Sequence, residues 1–580
     1  MPGGLIQLVA VGAQNELVNG SPSMTHFRAV YRRHTNFAME QIRMPFTSSN
    51  LEFSTIGTRT ISCRIDRYAQ LLHDSYLVLT LPDIWSPLKS IGSSAPPAGY
   101  DPRSKALGYE FQWIENIGYN LIDHVDITMN GQVIQRLRGE WLKMYSYMTH
   151  DANKRKIVDQ MVGNVPEIYD PAHAYDRTGQ YPHAIAPMSI PTGVDPQTKI
   201  PEPSIRSRQL VIPLHFWFCE NPGMALPLVS LQNAEVYINV TLRQLSDLYT
   251  VVNVTPGTST YGERVRPTNF PMGLFLSPPL FDGTASNSTL TTWFPDPYVD
   301  GNFIYLTEME MNQLARADQT FLIKTVNYVG KEGQFGGNTD LELPMFNLVT
   351  RIVFAAQRSD QILLNKWDNY TNWENPKRAP WSSISSTDVN TSLYSSGQQQ
   401  VTSVYPRDAV IDGVLLFDGK ERIQTKPLPF FSLQQMYRHV TGQTPELPGV
   451  YMYSFALDHS SYQPSGSVNG SMFNKIILRL TLQQPLPESY QQDGVTSTTT
   501  QVCVLTSSLF SPNPTVIPLA NVDLIDPVTG KKLYPPGTIT TVIQSNDNII
   551  FTFTYVVGAY VESINFLRIV SGLGNLVFAS

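Results

Sequence analysis

Ten histidines, three cysteines and 48 acidic side chains give this 580-residue chain the raw material for metal, acid–base or nucleophilic chemistry, and spacing decides whether any is used. Phosphate binding needs a Gly-x4-Gly-Lys-Ser/Thr loop, and Gly530-Lys531-Lys532 lacks both the earlier glycine and the hydroxyl. Zinc needs His-Glu-x-x-His or paired Cys-x-x-Cys spacing, and neither occurs. His215 stands inside an aromatic run and reads as a packed side chain rather than a ligand. Gly572-Leu573-Gly574 has no βαβ pattern around it, so it reads as a turn and not as a dinucleotide loop. Asp123 and Asp126 are the nearest carboxylate pair of the kind a glycosidase uses, but strand alternation puts residues three apart on opposite faces. No catalytic, cofactor-binding or metal-binding residue is assigned, and no cofactor is expected.

Two further sets of residues could meet a partner. Arg28, Arg32, Arg33 and Arg43 are opposed only by Glu40 in their segment, which makes them a candidate anionic contact; a solvated or ion-paired basic stretch is the plainer reading. Asn-x-Ser/Thr triplets occur at Asn19, Asn239, Asn253, Asn287, Asn369, Asn390 and Asn469. Asn253, Asn287 and Asn390 fall in long polar loops and are the better glycosylation candidates, whereas Asn239 sits in a strand pattern. Cys63, Cys219 and Cys503 are odd in number and far apart, which no complete disulfide framework fits and which points to a reducing compartment. A net charge of −7 disfavours binding along a phosphate backbone, so no direct sequence-specific nucleic-acid binding is expected.

The elements that carry these residues read as β. Hydrophobic residues make up 42% and charged residues 15%, with 43 Pro and 37 Gly, a composition suited to short strands joined by turns. Val211–Leu242 (VIPLHFWFCENPGMALPLVSLQNAEVYINVTL) holds an apolar strand-like run at Leu214–Phe218, a polar break at Glu220–Gly223 and an alternating run at Ala234–Leu242. The same grammar returns at Gly449–Leu482, with Val450–Leu457, a break at Gln463–Gly466, and Lys475–Leu482. Each copy is preceded by Asn-Leu-aliphatic and a strand, at Asn120-Leu121-Ile122 and Asn347-Leu348-Val349, and followed by a polar stretch and another β run, at Phe303–Leu306 and Tyr560–Ile569. Such an order over more than two hundred residues indicates a tandem duplication.

Other elements follow in order. Met1–Thr25 is an expected arm; it lacks the basic flank and apolar length of a secretory signal. Leu51–Phe53, Thr58–Ile65 and Ser75–Leu81 are expected strands, and Asn130-Gly131 marks a hairpin because that pair tolerates positive φ. Gly139–Met161 is the best helical stretch of the first half, with Trp141, Met144, Tyr145 and Met148 on one face. Thr320–Val329, Leu348–Ala355 and Ala409–Phe417 with its Asp418-Gly419 turn repeat the strand reading. Loops are expected at Ile84–Gly108, Pro166–Ser204, Leu245–Pro297, Asp360–Gln400 and Gln484–Asn546. Ile549–Val561, about thirteen residues, falls short of the roughly 20 that a membrane helix needs.

Five segments in this sequence, GGLIQLVAVGAQ with SMTHFRAVYRRHTNFAMEQ, VIPLHFWFCENPGMALPLVSLQNAEV, YPRDAVIDGVLLFDGKERI, GVYMYSFALDHSSYQPSGSVN and NFLRIVSGLGNLVF, resemble the major capsid proteins of nucleocytoplasmic large DNA viruses, in family order and over nearly the whole chain. The chain departs from the family pattern at Asn15-Glu16, Glu220 and Ala409, which bear on subunit contacts rather than on strands. The resemblance implies an all-β fold of two tandem eight-stranded antiparallel jelly-roll sandwiches, with long loops and few short helices. It implies a homotrimer as the pseudo-hexagonal capsomer of an icosahedral shell, with neighbouring capsomers, minor capsid and penton proteins and an internal viral membrane as partners. It also implies assembly in the host cytoplasm, an inner-face position for the basic segment, and outer positions for the long loops, where virus-encoded machinery could glycosylate.

The expected layout is therefore an arm at 1–25, a first jelly roll at 26–312 and a second at 313–580. The expected function is a non-enzymatic viral major capsid protein. The rival is a carbohydrate-binding or carbohydrate-cleaving β-sandwich, which would need a cleft with paired carboxylates.

Overall fold

The computed structural model describes residues 3–48, 50–86, 109–177, 181–184, 202–253, 264–265, 272–278, 292–334, 336–363, 365–373, 407–440, 447–459, 463–483 and 554–578, with short strand backbones between 488 and 551. Eight strands of the first half build two facing sheets: β1 Phe37–Pro45, β2 Arg59–Arg64, β3 Leu71–Leu81, β4 Ile122–Met129, β5 Gln132–Arg138, β6 Arg208–Pro213, β7 Val236–Leu242 and β8 Tyr298–Leu306. Their order is β1-β8-β3-β6 in one sheet and β2-β7-β4-β5 in the other, all pairs antiparallel. The second half supplies β9 Gln319–Gln334, β10 Gly337–Glu342, β11 Leu348–Arg358, β12 Val410–Phe417, β13 Lys420–Pro427, β14 Val450–Ser454, β15 Ile476–Leu482 and β16 Tyr555–Val570. Their order is β9-β16-β11-β14 and β10-β15-β12-β13, the first pattern with eight added to each number. The fold is a double jelly roll.

Alternation explains why each sheet faces the other. In β15 every second residue is buried, and Ile476, Leu478, Leu480 and Leu482 meet Phe354, Tyr451, Val557 and Val561 of the opposing sheet. In the first sandwich Ile61, Ile127, Ile238 and Val240 pack on Leu77, Leu79, Leu210 and Phe303. The repeated strand–break–strand unit acquires its meaning here. β6 and β7 lie on opposite sheets, as do β14 and β15, so each unit is a crossover between layers and not a hairpin.

Several expectations need correction. Leu214–Phe218 is not a strand: β6 stops at Pro213, which lacks an N–H to continue the ladder, and Trp217–Glu220 forms one helical turn. That turn lets Phe216, Trp217 and Phe218 all enter the core, which a strand's alternation would forbid. Leu51–Phe53 is irregular. The first two helices, α1 Gly3–Val9 and α2 Ala13–Asn19, fall in the arm and bury nothing. Gly139–Met161 is two helices, α3 Gly139–Thr149 and α4 Ala152–Met161, split where the Asp151 side chain accepts a hydrogen bond from Lys154 N at 2.8 Å and starts a new N-terminus. The segment expected as a loop at Leu245–Pro297 contains a strand, Tyr249–Asn253, paired with Tyr109–Trp113. Between Gln484 and Asn546, Glu488–Gln492 pairs with Val495–Gln501 and Thr515–Pro518 with Thr541–Gln544.

Turn chemistry matches the residues that supply it. Asn130 and Gly131 join β4 to β5 with φ of 50° and 80°, and Asp418 and Gly419 join β12 to β13 with φ of 48° and 79°. The final helix of interest, α5, follows β13 directly: a π-helical turn at Phe430–Gln434 runs into an α-helical turn at Gln435–His439.

Candidate functional site

The densest arrangement of polar side chains lies where the first sandwich meets the outward face of β9, β16 and β11. Helix α3 is anchored by Trp141, whose ring lies 5.3 Å from that of Tyr560, and this fixes two charged neighbours against the second sandwich. Glu140 accepts from the hydroxyls of Tyr370, at 2.7 Å, and Tyr560. Lys143, fully buried, pairs with Asp368, which also accepts from Asn116 Nδ2 at 2.6 Å and Asn120 Nδ2 at 2.9 Å. Arg138, closing β5, lies 4.1 Å above the Tyr328 ring, and Lys324 reaches Glu220 at 3.1 Å. Trp367 donates to the Asp247 carbonyl at 3.0 Å and stacks beneath Arg243.

Just behind this seam sits an ion pair with both members buried. Arg351 donates to Glu562 Oε2 through Nε at 3.0 Å and Nη2 at 2.6 Å, and Thr350 Oγ1 donates to Oε1 at 3.1 Å. Burial pushes the Glu562 carboxyl up, but the Arg351 and Lys324 charges outweigh it and hold the group at about 2. His459 Nδ1 lies 3.9 Å from Glu562 Oε1, and its Nε2 lies 2.7 Å from Ser454 Oγ. Serine, histidine and glutamate thus stand in line, yet the hydrogen bonds run the wrong way for nucleophilic catalysis. Ser454 gives its only proton to the Ala456 carbonyl at 2.7 Å, so His459 must donate to Ser454 rather than accept from it. Burial also lowers the His459 pKa to about 3, and Ser454 and His459 are both buried. The line is a structural network. No local pattern signals it, because Ser454 lies 5 residues from His459 and 108 from Glu562.

The residues singled out in the sequence are scattered. Arg28, Arg32 and Arg33 are exposed and irregular, with no ion pair among the described residues. Arg43 does not join them: it pairs with Asp296 at 2.7 Å and lies 4.1 Å over the Tyr298 ring. Asn287 and Asn390 lie outside the described residues, and Asn253 ends the Tyr249–Asn253 strand instead of lying in a loop, its side chain outside the described set. Asn369 is buried and donates to the Trp373 carbonyl; Asn19 and Asn469 are exposed. Asp126 is consumed by two Arg136 bonds at 2.7 and 2.8 Å, and Asp123 by His124, so they form no catalytic pair. His215 is packed between Tyr145 and His150, and Cys63 and Cys219 are free thiols, with burial pushing Cys63 up to about 12. Cys503 lies outside the described residues. No described helix is long and apolar enough to cross a membrane.

Two family profiles cover most of the chain: that of the major capsid protein N-terminus matches residues 25–281, and that of the large eukaryotic DNA virus major capsid protein matches residues 310–513. The chain belongs to the large eukaryotic DNA virus major capsid protein family. The major capsid protein of Phaeocystis pouchetii virus is 27% identical over 541 residues, covering 83% of this chain and 93% of that protein. The major capsid protein of Chrysochromulina ericina virus is 25% identical over 590 residues, covering 83% and 94%. Among solved structures, VP54 of PBCV-1 superposes with a TM-score of 0.58 at 18% identity, covering 96% of this chain and all of that one. The Faustovirus major capsid protein gives a TM-score of 0.57 at 12% identity, covering 97% and 95%. Both share the fold of this capsid protein. Its function is structural, in the capsid of a large DNA virus, and nothing in the geometry or the comparisons favours a sugar-binding or sugar-cleaving role.

Proposed function

We propose that this capsid protein works by closing in threes into a pseudo-hexagonal capsomer, and that such capsomers tile an icosahedral shell. The observation that carries this reading is the identical strand order of the two sandwiches, joined by a seam of ion pairs and aromatic contacts. Two like units held rigidly in one chain present two like edges, and three chains then approximate sixfold symmetry. The first unit is residues 26–312 and the second 313–580, with 1–25 as an arm. Binding is by complementary surfaces, without catalysis, and each contact between chains buries on the order of 2,000 Å² or more. Arg28, Arg32 and Arg33, exposed on the irregular stretch after α2, face the shell interior, where minor capsid proteins or an internal membrane offer anionic groups. Assembly takes place in the host cytoplasm, and penton proteins close the vertices.

The test is light scattering on a sizing column, followed by negative-stain imaging of the peak. A particle near three times the 65.0 kDa chain with a hexagonal outline supports the reading. A chain that stays monomeric at high concentration overturns it.

A further inference from the structure

Within the seam between the two sandwiches, α3 and the end of β5 pack on the outward row Tyr328–Tyr560–Val353 across β9, β16 and β11. Because the strand orders repeat, each half of this contact has a counterpart. The counterpart of α3 is α5, which follows β13; the counterpart of the covered row is Arg43–Asp300–Tyr76 across β1, β8 and β3. Helix α5 is exposed on its outer side, and in the sheet counterpart Arg43 is exposed while Asp300 and Tyr76 are half-buried.

Helix α5 turns Phe431, Gln435 and Met436 into the core and leaves Pro429, Leu433 and Tyr437, four residues apart, on its outer side. Leu433 is 63% exposed and Tyr437 90% exposed. With Lys426 and Phe430 they line an open apolar groove, and Lys426 stands one residue before the end of β13, close to where Arg138 stands at the end of β5. The β1–β8–β3 face is open along β1, where Phe37 and Met39 are half or more exposed on the same side as Arg43, and half-buried at Asp300 and Tyr76. The charges also match. Arg43 is neutralised by Asp296, leaving Asp300 and Asp74 on that face, while the α5 side carries Lys426 and Arg438.

We propose that α5 of one copy docks on the outward β1–β8–β3 face of a second copy, repeating between chains the contact that α3 makes within the chain. This rests on the self-assembly reading and deepens it by naming the two surfaces. The contact is heterologous, so each chain donates one surface and receives on the other.

Two full-length variants test it: Leu433→Asp with Tyr437→Asp on the helix, and Met39→Lys with Asp300→Lys on the sheet face. Light scattering is read on the wild type, each variant and their equimolar mixture, with circular dichroism melts as the folding control. Each variant alone is expected at the 65.0 kDa of one chain, and the mixture at about twice that, since one intact contact remains between unlike chains. If the double helix variant melts early, Tyr437→Asp alone gives the same readout. Variants that keep the wild-type assembled mass, or a mixture that stays monomeric, overturn the surface assignment and leave self-assembly standing. A monomeric wild type overturns both.

Discussion

Single side chains in this protein are spent on holding buried charge. Arg351 is the main cation facing Glu562, so Arg351→Met leaves a carboxylate in a dry site with Thr350, His459 and a more distant Lys324. We expect a loss of about 3–5 kcal/mol in the denaturant midpoint analysis, partly recovered when Glu562→Gln is added. A loss under 1 kcal/mol would show that the pair is solvated. Histidines set the acid limit. Burial lowers His150 to about 4 and His215 to about 3, with Lys154 adding to both. In the unfolded chain these groups protonate near 6.5, so between 6.5 and the folded values the unfolded state binds more protons. Stability is complete above pH 6.5 and falls as pH drops, by about 2–3 kcal/mol per histidine at pH 4.5. Melting temperature against pH checks this, and His150→Gln with His215→Phe should flatten the curve; an unchanged slope would assign the acid sensitivity elsewhere.

At the level of elements, close backbone approach at one glycine decides how α3 leaves β5. A Cβ at Gly139 would stand 2.2 Å from the carbonyl oxygens of both Ile122 and Tyr119, and neither main chain can yield without shifting β4. Gly131, by contrast, needs only its positive φ and has open space around it. Gly139→Ala is therefore expected to cost more than 2 kcal/mol and Gly131→Ala about 1 kcal/mol, measured by urea unfolding. The reverse order would mean that α3 can tilt freely, and the seam it anchors would then be less rigid than its contacts indicate.

For the whole molecule, the apolar core of the first sandwich runs without interruption into Val353, Met452 and Tyr560 of the second. The two sandwiches should unfold together, as one calorimetric transition in the full-length protein. Two resolved endotherms would show that the seam couples them weakly, and the two edges of a chain could then move relative to each other.

The sequence by itself determined the class and the duplication, because strand alternation and turn residues are local. Val236–Leu242, Ile476–Leu482, Asn130-Gly131 and Asp418-Gly419 carry their structure in their own spacing. It did not determine that Leu214–Phe218 coils, since that depends on where three adjacent aromatic rings find room, nor that Arg43 leaves the basic segment for Asp296, 253 residues away. The seam was invisible for the same reason: Lys143 meets Asp368 across 225 residues and Glu140 meets Tyr560 across 420. Only the tertiary structure decided which strand joins which sheet, because β6 and β7 adjoin in sequence yet pair with different layers. Pairing is settled by which long-range burial the whole chain can satisfy at once, and no local pattern encodes that.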